Sequence, residues 1–90
     1  MKIDFDPAKN ERNVRERGLS FELVDNFAWE TADTHEDTRF VYPEPRFVSS
    51  GLIGGRVFVV CFMPIPDGIR VISFRKANAR EVARYEKAAD

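Results

Sequence analysis

Ninety residues, 43% of them hydrophobic and 32% charged, suffice for one folded domain over 1–90 with a modest core, and exclude a disordered chain. No apolar run approaches the roughly 20 residues of a membrane span, and MKIDFDPAKNE lacks an apolar signal core. The single cysteine, Cys61, excludes an internal disulfide, and the net charge of −1 argues against a general nucleic-acid binder.

A soluble cytoplasmic protein with no membrane contact is therefore expected. In chain order, Ile3 and Phe5 alternate with polar neighbours and predict a short first strand. Asp6-Pro7 then starts a helix, since Asp caps well and Pro is tolerated at the first helical position. That helix, AKNERNVRER, has Ala8 and Val14 as its narrow buried stripe, and Gly18 ends it. Ser20 is placed to cap a second helix, FELVDNFAWE, with Leu19 and Val24 at the spacing of a hydrophobic staple. Phe21, Val24, Phe27 and Ala28 supply its buried face.

Residues 31–45 are polar, then DTRFVY reads as an edge strand interrupted by Pro43 and Pro45. RFVSSGLI and RVFVVCFM flank Gly54-Gly55 and predict a hairpin. VFVVCF has almost no polar interruption, so it is expected as a central strand covered on both faces, with Cys61 as a small core residue. PIPDG turns the chain into IRVISF, a further strand. Asn78 and Glu81 have capping-box spacing at the start of the last helix, whose apolar stripe is Val82, Tyr85 and Ala89. The fold class is α+β: a small, mostly antiparallel sheet with two N-terminal helices and one C-terminal helix.

The charges are unevenly spread. Seven acids lie between Glu22 and Glu44 against Arg39 alone, whereas six bases lie between Arg70 and Lys87 against Glu81 and Glu86. Strict alternation along IRVISFRK puts Ile69, Val71, Ser73 and Arg75 on one face and Arg70, Ile72 and Phe74 on the other. Arg75 and Lys76 leave the strand just before a helix begins. Guanidinium forks and free helix N–H groups both suit a phosphate there. The competing reading is a solvated strand end whose arginines pair with nearby acids. Glu44 and Arg46 flank Pro45 and point the same way, either to pair with each other or to act on a substrate. Lys9, Arg12 and Asn13 share a face of the first helix. His35, in THED, reads as incidental, and no metal-ligand spacing or nucleotide-binding glycine loop is present.

Three stretches carry a resemblance. FDPAKNERNVRERGLSFE, WETADTHEDTRFVYPEPRF with its Glu-x-Arg element at Glu44 and Arg46, and GGRVFVVCF together with IRVISFRKANAREVARYE resemble the BrnT family of toxin–antitoxin ribonucleases. The last stretch is the most specific, with Ser73, Arg75, Ala77, Arg80, Glu81 and Tyr85 in register. The resemblance implies a RelE-like fold and metal-independent RNA cleavage that blocks translation. It also implies a cognate BrnA-like antitoxin, DNA contact only through that antitoxin, and no cofactor. For 2′-hydroxyl attack on the adjacent phosphate, Arg75 and Arg70 are assigned to the phosphate and expected to converge on it. Glu44 is assigned as general base, and Tyr85 as proton donor, stacking surface or packing residue. Lys9, Arg46, Lys76 and Arg80 are assigned to RNA binding. Where many members carry Lys-His-Gly, this chain has Glu16-Arg17-Gly18, and Pro43 stands where a glycine is expected. The alternative is therefore a non-catalytic module that binds an antitoxin and assists operon repression.

Overall fold

In the computed structural model, which describes residues 1–89, five strands form one sheet in the order β1-β5-β4-β3-β2. Strands β1 (Lys2–Phe5), β2 (Asp33–Glu36), β3 (Phe47–Ile53), β4 (Arg56–Ile65) and β5 (Gly68–Lys76) are joined by antiparallel pairings except β1 with β5, which is parallel. Helix α1 (Pro7–Arg17) follows β1, and α2 (Ala79–Ala89) closes the described chain. The α+β class and the mostly antiparallel sheet agree with the sequence. Among the described residues, no helix is long and apolar enough to cross a membrane.

Local signals act as their chemistry demands. The Asp6 carboxylate accepts from the Ala8 N–H, and Gly18 ends α1 in the left-handed region at φ 69°. Gly54 and Gly55, at φ 56° and 80°, make the two-residue β3–β4 turn that a side chain would strain. The capping box at α2 is complete: Asn78 Oδ1 accepts from the Glu81 N–H, and Glu81 Oε1 accepts from the Asn78 N–H.

The expected second N-terminal helix is corrected. FELVDNFAWE forms two 3-10 turns, Phe21–Asn26 and Trp29–Thr31, so only one α-helix precedes the long strands. Phe21, Val24 and Phe27 recur every three residues, and three residues per turn puts all three directly above one another. All three are buried in the core, so the 3-10 winding aims them inward more squarely than 3.6 residues per turn would.

The edge strand expected over DTRFVY is also corrected. It lies at Asp33–Glu36 instead, and residues 37–46 form a loop. Asp37 turns its carboxylate back onto the Arg39 N–H, which ends the extended run, and the prolines withhold ladder donors.

The core lies between one sheet face and the 3-10 turns. It contains Leu19, Phe21, Val24 and Phe27 against Phe58, Val60 and Phe62 of β4 and Ile69, Val71 and Phe74 of β5. Strand β4 is central and its residues Val57 to Val60 are all buried, as the uninterrupted apolar run requires. On β5 the alternation breaks. Cys61 pairs with Ser73 but Phe62 pairs with Val71, so Ile72 is an extra, bulged residue. The bulge puts Ile69, Val71 and Phe74 together on the core face. Arg70, Ser73 and Arg75 consequently share the opposite face, which overturns the strict alternation read from sequence.

Helix α1 has no buried residue, and Val14 is exposed rather than part of an apolar stripe. Polar clasps hold it. Asn13 Nδ2 donates to the Leu19 and Phe74 carbonyls, and Asn10 Oδ1 accepts from the Phe21 N–H.

Candidate functional site

The sheet face opposite the core is only partly covered by α2, and a cleft of about 440 Å³ opens there. Its floor is Val48, Ser50, Val59, Cys61 and Ser73. One wall is Arg75 with Glu81, Arg84 and Tyr85 of α2; the other is the Asp33–Arg39 segment, including His35 and Asp37. A second cavity of about 220 Å³, lined by Lys9, Arg12, Asn13 and Arg17 among others, shares Ser73 with the first.

Arg75 is the sequence-predicted residue best placed for chemistry. Its two terminal nitrogens donate to the two Glu81 oxygens at 2.7 and 2.8 Å, a bidentate pair across the junction of β5 and α2. Hydrogen bonding by Arg75 depresses the Glu81 carboxyl to about 2, and the same bonds raise the Arg75 guanidinium. Tyr85 also lines the cleft, but it is buried and its Oη donates to the Thr31 carbonyl at 3.3 Å. That contact ties α2 to the end of the second 3-10 turn.

Arg70 does not join Arg75. Five positions separate them, roughly 16 Å of strand, and Arg70 lines neither cavity. It donates to Asp4 at 2.6 Å, its register partner on β1. The expected convergence of two guanidinium groups on one phosphate is thus absent: both arginines face the same way, yet each is paired with its own carboxylate. Glu44 is exposed and lines neither cavity. Arg46 does not pair with it; its guanidinium stacks on the Tyr42 ring at 4.3 Å, and its buried Nε has no hydrogen-bond partner among the described residues. Lys9 is exposed at the second cavity, and Lys76 and Arg80 are exposed where β5 ends and α2 begins.

Three cleft residues were not singled out for chemistry in the sequence. His35 lies on β2 opposite Val48 and reaches the cleft, so it is not incidental to the site's geometry. Cys61 is half-buried on the cleft floor rather than sealed in the core, and burial pushes its thiol up, away from the reactive thiolate. Arg84 lies one helical turn beyond Glu81 and is in no ion pair among the described residues. The strand pairing that carries His35 to the cleft has no local signal; the Glu81–Arg84 spacing on one helix face was readable.

The loop from Asp37 to Arg46 forms the rim of the cleft. The buried Asp37 carboxylate accepts from the Arg39 N–H, Nε and Nη2 and from Tyr42 Oη. The Arg39 bonds hold this carboxyl well below the usual carboxylate range. Burial, then the bond to Asp37, raises the Tyr42 hydroxyl. The Asp37 N–H donates to the Arg46 carbonyl at 2.8 Å and closes the loop. No three His, Cys, Asp or Glu side chains gather to hold a metal ion among the described residues.

No curated protein matches the chain. A family profile described as the ribonuclease toxin BrnT of type II toxin–antitoxin systems matches residues 5–81, from the end of β1 into α2. A match of that extent, across both walls of the cleft, makes the chain a member of the BrnT family of ribonuclease toxins of type II toxin–antitoxin systems.

Proposed function

We propose that this family member is a metal-independent endoribonuclease of RelE-like fold, that it blocks translation, and that it cuts RNA in the cleft between Arg75 and His35. The reaction is attack of a ribose 2′-hydroxyl on the adjacent phosphorus. The bond to the 5′-oxygen breaks, leaving a cyclic phosphate on one fragment and a 5′-hydroxyl on the other. The cleft must supply positive charge for the phosphorane oxygens and a route for two protons.

The observation that carries the reading is Arg75 on the cleft wall, at the β5–α2 junction, with Arg84 beside it. Arg75 binds the non-bridging oxygens after exchanging Glu81 for phosphate, and Arg84 adds a second cation. His35, on the other wall, supplies an imidazole, the side chain most often used for general acid–base transfer. Glu44 and Arg70, placed outside the cleft, contact flanking RNA rather than the reacting atoms. Lys9, Arg46, Lys76 and Arg80 extend that contact. Tyr85 forms a wall and positions α2.

A cognate antitoxin, BrnA-like by resemblance, neutralises the toxin by covering the cleft, and the toxin meets DNA only through that antitoxin. The non-catalytic reading retains one supporting observation: Arg75 and Arg39 are already paired with carboxylates, so the groove is not openly basic.

An RNA digest in EDTA by wild type and Arg75→Ala, with product ends identified, separates these readings. Wild type should cut and leave cyclic phosphate ends. Arg75→Ala should remain folded, still bind antitoxin, and cut on the order of 10²–10³ more slowly, the usual loss for one oxyanion donor. Undiminished cutting by the variant would misplace the site, and loss of wild-type activity in EDTA would end metal independence. Folded wild type that leaves RNA intact and cells growing would favour the interaction module.

A further inference from the structure

Two strongly exposed large apolar side chains, Phe40 and Val41, lie on the cleft rim. Phe40 is 66% exposed and Val41 fully so. Their exposure is not the result of a slack loop. Asp37 is buried beneath them and holds Arg39 and Tyr42, and the Asp37–Arg46 backbone bond closes the base of the loop. The frame is built of charged and aromatic groups, and it holds Phe40 outward at the cost of leaving a hydrophobic ring in water.

The surroundings of that ring are chemically specific. The Arg39 guanidinium lies 5.9 Å from the Phe40 centroid, and the Tyr42 ring meets Phe40 edge-on at 6.0 Å. Arg46 stacks on Tyr42 behind it. Asp37, Thr38 and Arg39, the residues just before Phe40, themselves line the cleft. Arginines interleaved with aromatic rings beside a groove suit a single-stranded nucleic acid: bases stack on the rings, and cations follow the backbone. A duplex keeps its bases stacked inside and cannot use such a surface.

We propose that the Asp37–Arg46 loop is a base-stacking lip, on which Phe40 receives an unpaired nucleobase of the RNA strand whose scissile phosphate lies in the adjacent cleft. This rests on the ribonuclease reading and adds the substrate form: single-stranded RNA, gripped one or a few nucleotides from the cut. Because Asp37 braces the loop before substrate arrives, little ordering opposes stacking.

The test uses a single-stranded 2′-O-methyl oligonucleotide, whose blocked 2′-oxygen prevents cleavage, carrying 2-aminopurine as a stacking reporter. An abasic version of the same length keeps the phosphates. Wild type and Phe40→Trp should bind the intact oligonucleotide and quench the reporter. Phe40→Ala and Phe40→Leu should lose the quench and bind about fivefold to a hundredfold more weakly, the range for one stacked base. All four proteins should bind the abasic strand alike. Phe40→Leu matching wild type, or Phe40→Ala weakening both strands equally, would overturn the lip. Phe40→Ala that keeps RNA binding but releases antitoxin would assign the loop to the protein partner instead. Wild type that cuts RNA with affinity indifferent to Phe40 defeats the lip alone. Wild type that neither binds nor cuts RNA defeats the ribonuclease reading, and the lip with it.

Discussion

Glu81 receives hydrogen bonds from both Arg75 terminal nitrogens and from the Asn78 N–H, so one carboxylate caps α2 and holds the site's arginine. Its folded value of about 2 lies below the ordinary 4.5. A depressed carboxylate stabilises the fold fully above its unfolded value and loses that contribution as pH falls toward the folded one. Glu81→Gln should therefore be less stable than wild type at pH 7, by at most about 1 kcal/mol after solvent screening, and the gap should close between pH 4.5 and 2. Urea midpoints at pH 7, 4 and 3 measure this, and a gap constant with pH would contradict it. Asn-x-x-Glu spacing announced the cap. The grip on Arg75 was not legible, because it needs the end of β5 folded against the start of α2.

At the scale of elements, the strands were the more readable. Gly54-Gly55 placed the β3–β4 hairpin, and the apolar run of β4 placed the centre of the sheet. The helical segments misled where their anchoring is polar or their period is three. Asn10 and Asn13 dock α1 without apolar burial, and no pattern of hydrophobic residues reports an amide reaching a carbonyl. Strand β1 depends on a different device. A Cβ on Gly68 would fall on the Lys2 backbone, so the parallel pairing at that edge requires the missing side chain. Gly68→Ala should cost about 1–3 kcal/mol, as overpacking does. Amide exchange at Ile3 and Phe5 should accelerate ahead of that in β4. Unchanged exchange at β1 would show that the edge accommodates the methyl group.

Over the whole molecule, charges of both signs nearly cancel, yet Lys9, Arg12 and Arg17 cluster at the second cavity and Arg84 stands in the cleft, none in an ion pair among the described residues. RNA following Ser73 from one cavity to the other would meet about three of these cations. Each phosphate neutralised on a single strand contributes roughly −0.7 to the slope of log affinity against log salt. A slope near roughly −2 is expected from a titration with the uncleavable oligonucleotide. A flat response would show that net charge, not its placement, governs the encounter. The sequence showed the basic stretch holding Arg84 and put Lys9 and Arg12 on one face of α1; which bases face one groove emerged only with the sheet.

Ile72 shows how thinly the design separates inside from outside. The strand carries one residue more than its neighbour needs, and that surplus decides which half of the pattern after it meets oil and which meets water. Losing that one residue would restore strict alternation and leave both faces as they are. Flattening the bulge with Ile72 kept in the ladder would instead turn Phe74 toward the groove and Arg75 toward the hydrophobic interior. The cleft face is thus specified by counting as well as by chemistry: a ruler one notch longer than the sheet it is laid against.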